Sequence, residues 1–259
     1  MTGLHPSGRS LRVLVLGLVL LLSDGSVRAD ESGAAATCPP QMALIDGAFC
    51  IDRYEGALER RDGDRWTLAR RGLPVGKRPV RARPAHGIRP YAYVSARGAE
   101  RACANAGKRL CTSEEWLKAC RGPRGHRWPY GPSYSPDACN DTYPGGHPVI
   151  DYFDRRDGVW DEEHMNHPAL NEQPDTVDPG GANAGCVSDY GVYDMHGNLH
   201  EWVADADGTF RGGFYGDASR NGVGCDYVTT AHHAGYRDYS TGFRCCADPK
   251  EAGAAPAGR

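Results

Sequence analysis

The chain has 259 residues, 24% charged and 40% hydrophobic, with a formal net charge of −3, which excludes a collagen-like, a fully disordered and a nucleic-acid-coating composition. Its 34 glycines and 18 prolines are too many for a domain of long helices, so irregular backbone is expected to form much of the structure. All ten cysteines lie from Cys38 onward, and that even number suits an oxidising compartment better than a reducing cytosol.

Arg9 and Arg12 precede an apolar run from Val13 to Leu22, and Val27-Arg28-Ala29 stands where a cleavage site would. This is the layout of a secretory signal peptide over residues 1–29, cut after Ala29. The run is about half of the ~20 apolar residues that span a bilayer, and Cys38 lies too far along to carry a lipid. An exported protein, periplasmic or extracellular, with no stable membrane anchor is expected. Residues 30–37 read as a flexible lead and 250–259, rich in Ala, Gly and Pro, as a disordered tail. Residues 38–249 then form one domain.

Residues 42–52 alternate around Asp46-Gly47, predicting a strand, a turn and a strand. Cys38 and Cys50 flank the unit and are placed to staple it. Residues 60–89 carry ten Lys or Arg against two Asp and read as a solvated loop; nucleic-acid binding there is disfavoured in a net acidic, exported chain. Ser95 caps a predicted helix through Ala99, Ala102, Cys103 and Ala106, with Gly107 as its stop. Thr112-Ser113-Glu114-Glu115 resembles a capping box for a second helix carrying Trp116, Leu117, Ala119 and Cys120. Turn-rich sequence follows Gly122, then an acidic run through Asp151, Asp154, Asp157, Asp161, Glu162 and Glu163. Short aromatic segments punctuated by glycine end the domain (residues 190–193, 210–215 and 241–244) and fit short strands. The class is α+β with much coil.

Five separated segments together resemble the sulfatase-modifying-factor family, whose best-known member is the formylglycine-generating enzyme. They are residues 49–55, Gly107-Lys108-Arg109-Leu110 with Glu115-Trp116, residues 193–202 (Tyr-Asp-Met-His-Gly-Asn-Leu-His-Glu-Trp), Arg211-Gly212-Gly213, and Gly242-Phe243-Arg244-Cys245. The resemblance implies a coil-rich domain related to C-type lectin folds, with short strands and two or more short helices. In the copper enzymes of that family, two thiolates follow the Arg-Gly-Gly motif at five and ten residues after its first glycine. Counting from Gly212 reaches Asp217 and Gly222, and neither is the soft ligand that copper(I) prefers. Formylglycine generation is therefore doubted, and copper and iron are not expected.

By the same resemblance, a family disulfide corresponds to Cys120 with Cys245. The loop Asp194 to Glu201 corresponds to a calcium loop whose ligands would be Asp194, Gly197, Leu199 and Glu201, hard oxygen donors suited to that ion. Asn140 and Asp141 would begin a second calcium loop completed near Asp154 and Asp157. His196, His200, His232 and His233 cluster late in the chain, and His232, His233 and Cys225 make an alternative metal set. Asn140-Asp141-Thr142 is also a glycosylation sequon.

Two functions follow. The first is a disulfide-stabilised, calcium-supported binding or accessory module for an unknown protein, peptide or glycan ligand, with residues 214–239 as its binding face and no nucleic-acid partner. The second is a metal-dependent oxidoreductase acting on a thiol or peptide substrate through a relocated site that draws on Cys225, His232, His233 or Cys245-Cys246.

Overall fold

A computed structural model of the protein describes residues 36–70, 72, 78–230 and 232–251. The signal peptide expected over 1–29 and its cleavage point lie outside them. Met42–Ile45 and Phe49–Asp52 pair antiparallel across a turn in which Asp46 and Gly47 take left-handed φ of 48° and 72°, a backbone that short polar residues and glycine tolerate. Met42–Ile45 forms one edge of a four-stranded sheet and Arg109–Leu110 the other; between them, Cys245–Ala247 pairs with Phe49–Asp52 and with Arg109–Leu110. Strands from near the two ends of the domain thus lie side by side.

Helix α1 spans Ala96–Asn105; Ser95 caps it by accepting from the Gly98 amide at 3.2 Å. Helix α2 spans Ser113–Arg121 behind the expected capping box, with the Glu115 amide donating to Thr112 Oγ1 and the Thr112 amide to Glu115 Oε2. Both helices bury one face, α1 through Ala96, Ala99, Ala102 and Cys103, and α2 through Trp116, Ala119 and Cys120. A second four-stranded sheet holds Val228–Thr229, Phe210–Arg211, His200–Trp202 and Thr241–Phe243, the last two parallel. Among the described residues no helix is long and apolar enough to cross a membrane.

The basic stretch is not a loop throughout. Leu58–Asp62, Arg65–Leu68 and Val80–Ala82 form a three-stranded sheet, and Leu58, Val80 and Ala82 are buried in the core. Its charge is met locally: buried Glu59 takes Arg81 at 2.8 Å and Arg83 at 2.9 Å, while Arg81 also lies 4.5 Å from the Trp66 ring. The order also extends past the expected ends of the domain, because Ala36–Thr37 pairs with Lys250–Glu251.

All ten cysteines are paired: Cys38–Cys50, Cys103–Cys245, Cys111–Cys246, Cys120–Cys225 and Cys139–Cys186. The expected Cys120–Cys245 bridge is thereby corrected. Successive side chains of a strand point to opposite faces, so Cys245 joins the core cluster that holds Cys103 of α1. Cys246 joins the other cluster, with Cys111, Cys120 and Cys225. Cys120 lies on the wrong side of the sheet for Cys245.

Candidate functional site

The motif residues converge on a buried ionic hub. Phe49–Asp52 sends Asp52 inward, the turn after it Glu55, the 194–201 segment both Asp194 and Glu201, and the last strands Arg244, all among the buried residues. Arg244 lies at its centre, wholly buried. Its Nε and Nη2 donate to Glu201 Oε2 and Oε1 at 2.5 Å each, Nη1 donates to the Asp52 carbonyl at 3.0 Å, and Nη2 also donates to the Tyr193 carbonyl at 2.9 Å. Trp116 Nε1 reaches Glu201 Oε2 from α2 at 2.7 Å. Lys108 Nζ meets Asp52 Oδ1 at 2.5 Å, and the Cys245 amide donates to Asp52 Oδ2 at 3.1 Å.

Glu55 accepts from the Leu199 amide at 3.0 Å and from the Asn198 side-chain amide. Asp194 accepts from the Gly181 amide at 2.7 Å. Burial pushes Asp194 up to about 6 against that hydrogen bond. It pushes Glu55 well above the carboxylate range, with the charges of Glu201 and Asp194 adding to the shift. Two cations, Lys108 and Arg244, face four carboxylates here.

This arrangement tests the calcium assignment. Of the expected quartet, Glu201 has both oxygens on Arg244, while Gly197 and Leu199, expected to offer carbonyl oxygens, donate their amides to the Gly212 carbonyl at 2.8 Å and to Glu55 at 3.0 Å. Asn140 and Asp141, assigned to a different ion, belong to the same loop contact. The Asn198 amide donates to the Asn140 carbonyl at 2.7 Å, Asn140 Nδ2 donates to Asn198 Oδ1 at 3.0 Å, and His196 Nε2 sits 3.2 Å from Asp141 Oδ2. Gly197 is required there, since a Cβ on its left-handed backbone would stand 2.1 Å from the Asn140 carbonyl oxygen. Among the described residues no group of three His, Cys, Asp or Glu side chains is arranged to hold a metal. In this arrangement the cation facing Glu201 is Arg244, so an ion at Glu201 would have to share that carboxylate with the guanidinium or replace it.

The alternative set is likewise not assembled. Cys225 is closed in its disulfide, His232 stacks on Tyr236 at 3.9 Å and on Phe210 at 5.3 Å, and His233 Nδ1 accepts from the Gly235 amide at 3.1 Å. His200 is buried against Phe210, Phe214 and Tyr227, its Nδ1 without a partner. Burial lowers it to about 3, so it stays neutral. At the two positions where the resemblance would place the family's copper ligands, Asp217 Oδ1 accepts from the Ser219 and Arg220 amides at 3.1 and 2.9 Å. Gly222 has φ 127°, and a Cβ there would lie 2.6 Å from the Asp226 carbonyl oxygen.

Sequence reasoning gave no role to Asp52, Glu55 or Arg244. Their signal was a charge set inside an apolar run, as in Phe243-Arg244-Cys245, which is costly to bury unless paired.

A coil-rich α+β domain framed by disulfides around this hub is the class of protein at hand. Residues 75–249 match the sulfatase-modifying factor enzyme 1-like domain, and the chain belongs to that family. It is 34% identical, over 129 residues, to the inactive C-alpha-formylglycine-generating enzyme 2 of Bos taurus, a match covering 48% of this chain and 36% of the relative. The Mus musculus protein of the same name is 33% identical over the same shares. The match thus spans little more than a third of either relative. Solved structures similar to it include PvdO from Pseudomonas aeruginosa, at 20% identity and TM-score 0.47, covering 77% of this chain and 80% of that one. The I1 variant of the major tropism determinant has 13% identity and TM-score 0.47, covering 85% and 55%.

Proposed function

We propose that the protein is an exported, disulfide-stabilised binding or accessory module of its family that has no thiolate-based formylglycine chemistry. One observation carries this reading: no cysteine is free, and the two positions of the family's thiolates are Asp217 and Gly222. Copper(I) requires soft sulfur donors, and a hard carboxylate beside a glycine supplies none. Position 222 also has no room for a cysteine side chain on its present backbone. That two relatives carry the word inactive in their names agrees with this reading. The hub supports the same view, because the family's motif residues are engaged with one another rather than with an open cleft. Five disulfides suit an oxidising compartment, and export by the leader ending at Ala29 follows from the sequence layout. The ligand is a protein, peptide or glycan met by the face that includes residues 214–239.

The test is a thiol count by alkylation of the unreduced protein and intact mass, with oxygen uptake measured on cysteine-containing peptides with and without copper(I). Five disulfides and no copper-dependent uptake are expected. Two free thiols or copper-dependent turnover would overturn the reading. N-terminal sequencing of secreted material should begin at Asp30.

A further inference from the structure

A cavity of about 270 Å³ opens where the acidic run meets the 233–237 turn, with Trp160, Asp161, Glu162, Met165, Tyr236 and Arg237 in its lining. Nothing in the ionic hub accounts for it. Its walls are fixed: Asn166 Nδ2 donates to the Glu162 carbonyl and to the Arg237 carbonyl, both at 3.0 Å, and the Tyr239 amide donates to the Met165 carbonyl at 3.1 Å. Trp160 is held by Nε1 on the Arg156 carbonyl at 2.9 Å and by an edge contact with His147 at 5.0 Å, yet it remains 51% exposed. What sets this ring apart from a singly exposed aromatic is that it is held in place at the mouth of a cavity.

The charge around it is mainly negative, with Asp161 and Glu162 in the lining against Arg237. Residues 151–163 hold six carboxylates against two arginines. Asp161 Oδ1 already takes the His164 amide at 2.9 Å and its Nδ1 at 2.7 Å, which leaves the exposed Glu162 as the freer carboxylate. What remains is negative potential, two aromatic rings and a polarizable thioether, which together attract a diffuse cation. One cation of the chain is already at the edge: Arg237 pairs with Glu162 at a long 3.7 Å.

We propose that this cavity binds an alkylammonium group carried by a modified side chain of a protein or peptide, seated against Trp160 and Tyr236 and displacing Arg237 from Glu162. The assignment rests on the binding-module reading and adds its ligand class.

The test uses the full-length protein, with choline chloride and tetramethylammonium chloride as probes and the neutral isostere 3,3-dimethyl-1-butanol as control, at constant ionic strength by calorimetry or NMR. The cations should bind about five- to thirtyfold more tightly than the isostere, the range of a partly desolvated cation–π contact. Trp160→Ala should weaken the cations by a similar factor, the exposed Glu162→Gln should weaken them about two- to fivefold, and Arg237→Gln should tighten them. Equal affinity for the isostere would overturn the proposal, as would binding unmoved by both Trp160→Ala and Glu162→Gln, or no binding at all. Trp160→Ala is read only with near-UV circular dichroism unchanged; Glu162→Gln, at the surface, keeps the test decisive if that variant misfolds. Copper-dependent turnover alongside choline binding would remove the functional reading and leave the cavity assignment standing, so the two fail separately.

Discussion

Replacing Arg244 by methionine removes the cation at the centre of the fold. The substitution leaves Glu201 buried with only Trp116 as a donor and strips partners from the carbonyls of Asp52 and Tyr193. Breaking a buried ion pair from one side costs about 3–5 kcal/mol, and each orphaned buried carbonyl adds about 1 kcal/mol or more. The sum, roughly 5–7 kcal/mol, rivals the ~5–15 kcal/mol that holds a typical domain folded. Guanidinium unfolding with the disulfides intact, followed by tryptophan fluorescence, measures it, because buried Trp116 reports on the hub itself. The double variant Arg244→Met with Glu201→Gln removes the stranded charge while keeping an acceptor for Trp116, and should regain about 2–3 kcal/mol as a coupling energy in the double-mutant cycle. A single variant within about 1 kcal/mol of the parent, or a double variant that regains nothing, would refute the account of the hub.

Further outcomes follow from the same geometry. His200 stays neutral down to about 3 when folded but titrates near 6.5 unfolded; between those values the unfolded state holds the extra proton, so stability falls with falling pH by up to about 1.4 kcal/mol per unit. Asp194, raised to about 6 from 3.8, works oppositely, since in that window the folded state holds the proton and stability falls as pH rises. His200→Phe should therefore flatten the acid loss between pH 4 and 6.5 and Asp194→Asn should steepen it; denaturant midpoints across pH that leave the parent slope unchanged in both variants would contradict the assignments. Calorimetric titration with calcium should give no saturable binding below about 1 mM, weaker than the sensor-type range of this ion, and a micromolar site would show that Arg244 is not the settled counter-ion of Glu201. Asn140 should remain unglycosylated when the protein is secreted from a glycosylating host, because its Nδ2 is bonded to the Thr176 carbonyl at 2.7 Å and to Asn198; a Thr142→Ala variant losing glycan mass would disprove this.

Local signals in the sequence were read well where short-range chemistry decides the outcome. The Asp46-Gly47 turn, the Ser95 cap, the Thr112 capping box and the Cys38–Cys50 pairing each depend on residues a few positions apart. The three-stranded sheet at 58–82 was hidden because its arginines read as solvated until Glu59 is placed between two of them. The disulfide map escaped for a topological reason: which face of the last strand Cys245 takes depends on how that strand lies between Phe49–Asp52 and Arg109–Leu110. The ionic hub was not legible because motif residues name a loop without naming its occupant. Asp194 and Glu201 look like donors awaiting an ion until Arg244, more than forty positions later, is seen to occupy the second of them.

The strand Cys245–Ala247 also sets the order in which the molecule can be completed. Cys103 and Cys111 precede their partners by 142 and 135 residues, and the cation that neutralises Glu201 arrives in the same short segment. As the chain emerges, two thiols and a carboxylate wait for the last strand, while Cys120, Cys139, Cys186 and Cys225 are already within reach as wrong partners. Oxidation has to stay reversible until residues 241–247 are in place, through thiol exchange that undoes early mistakes. The protein should therefore depend on a disulfide isomerase more than its count of five bridges alone implies, with the final strand acting as the last stitch that locks both halves of the core.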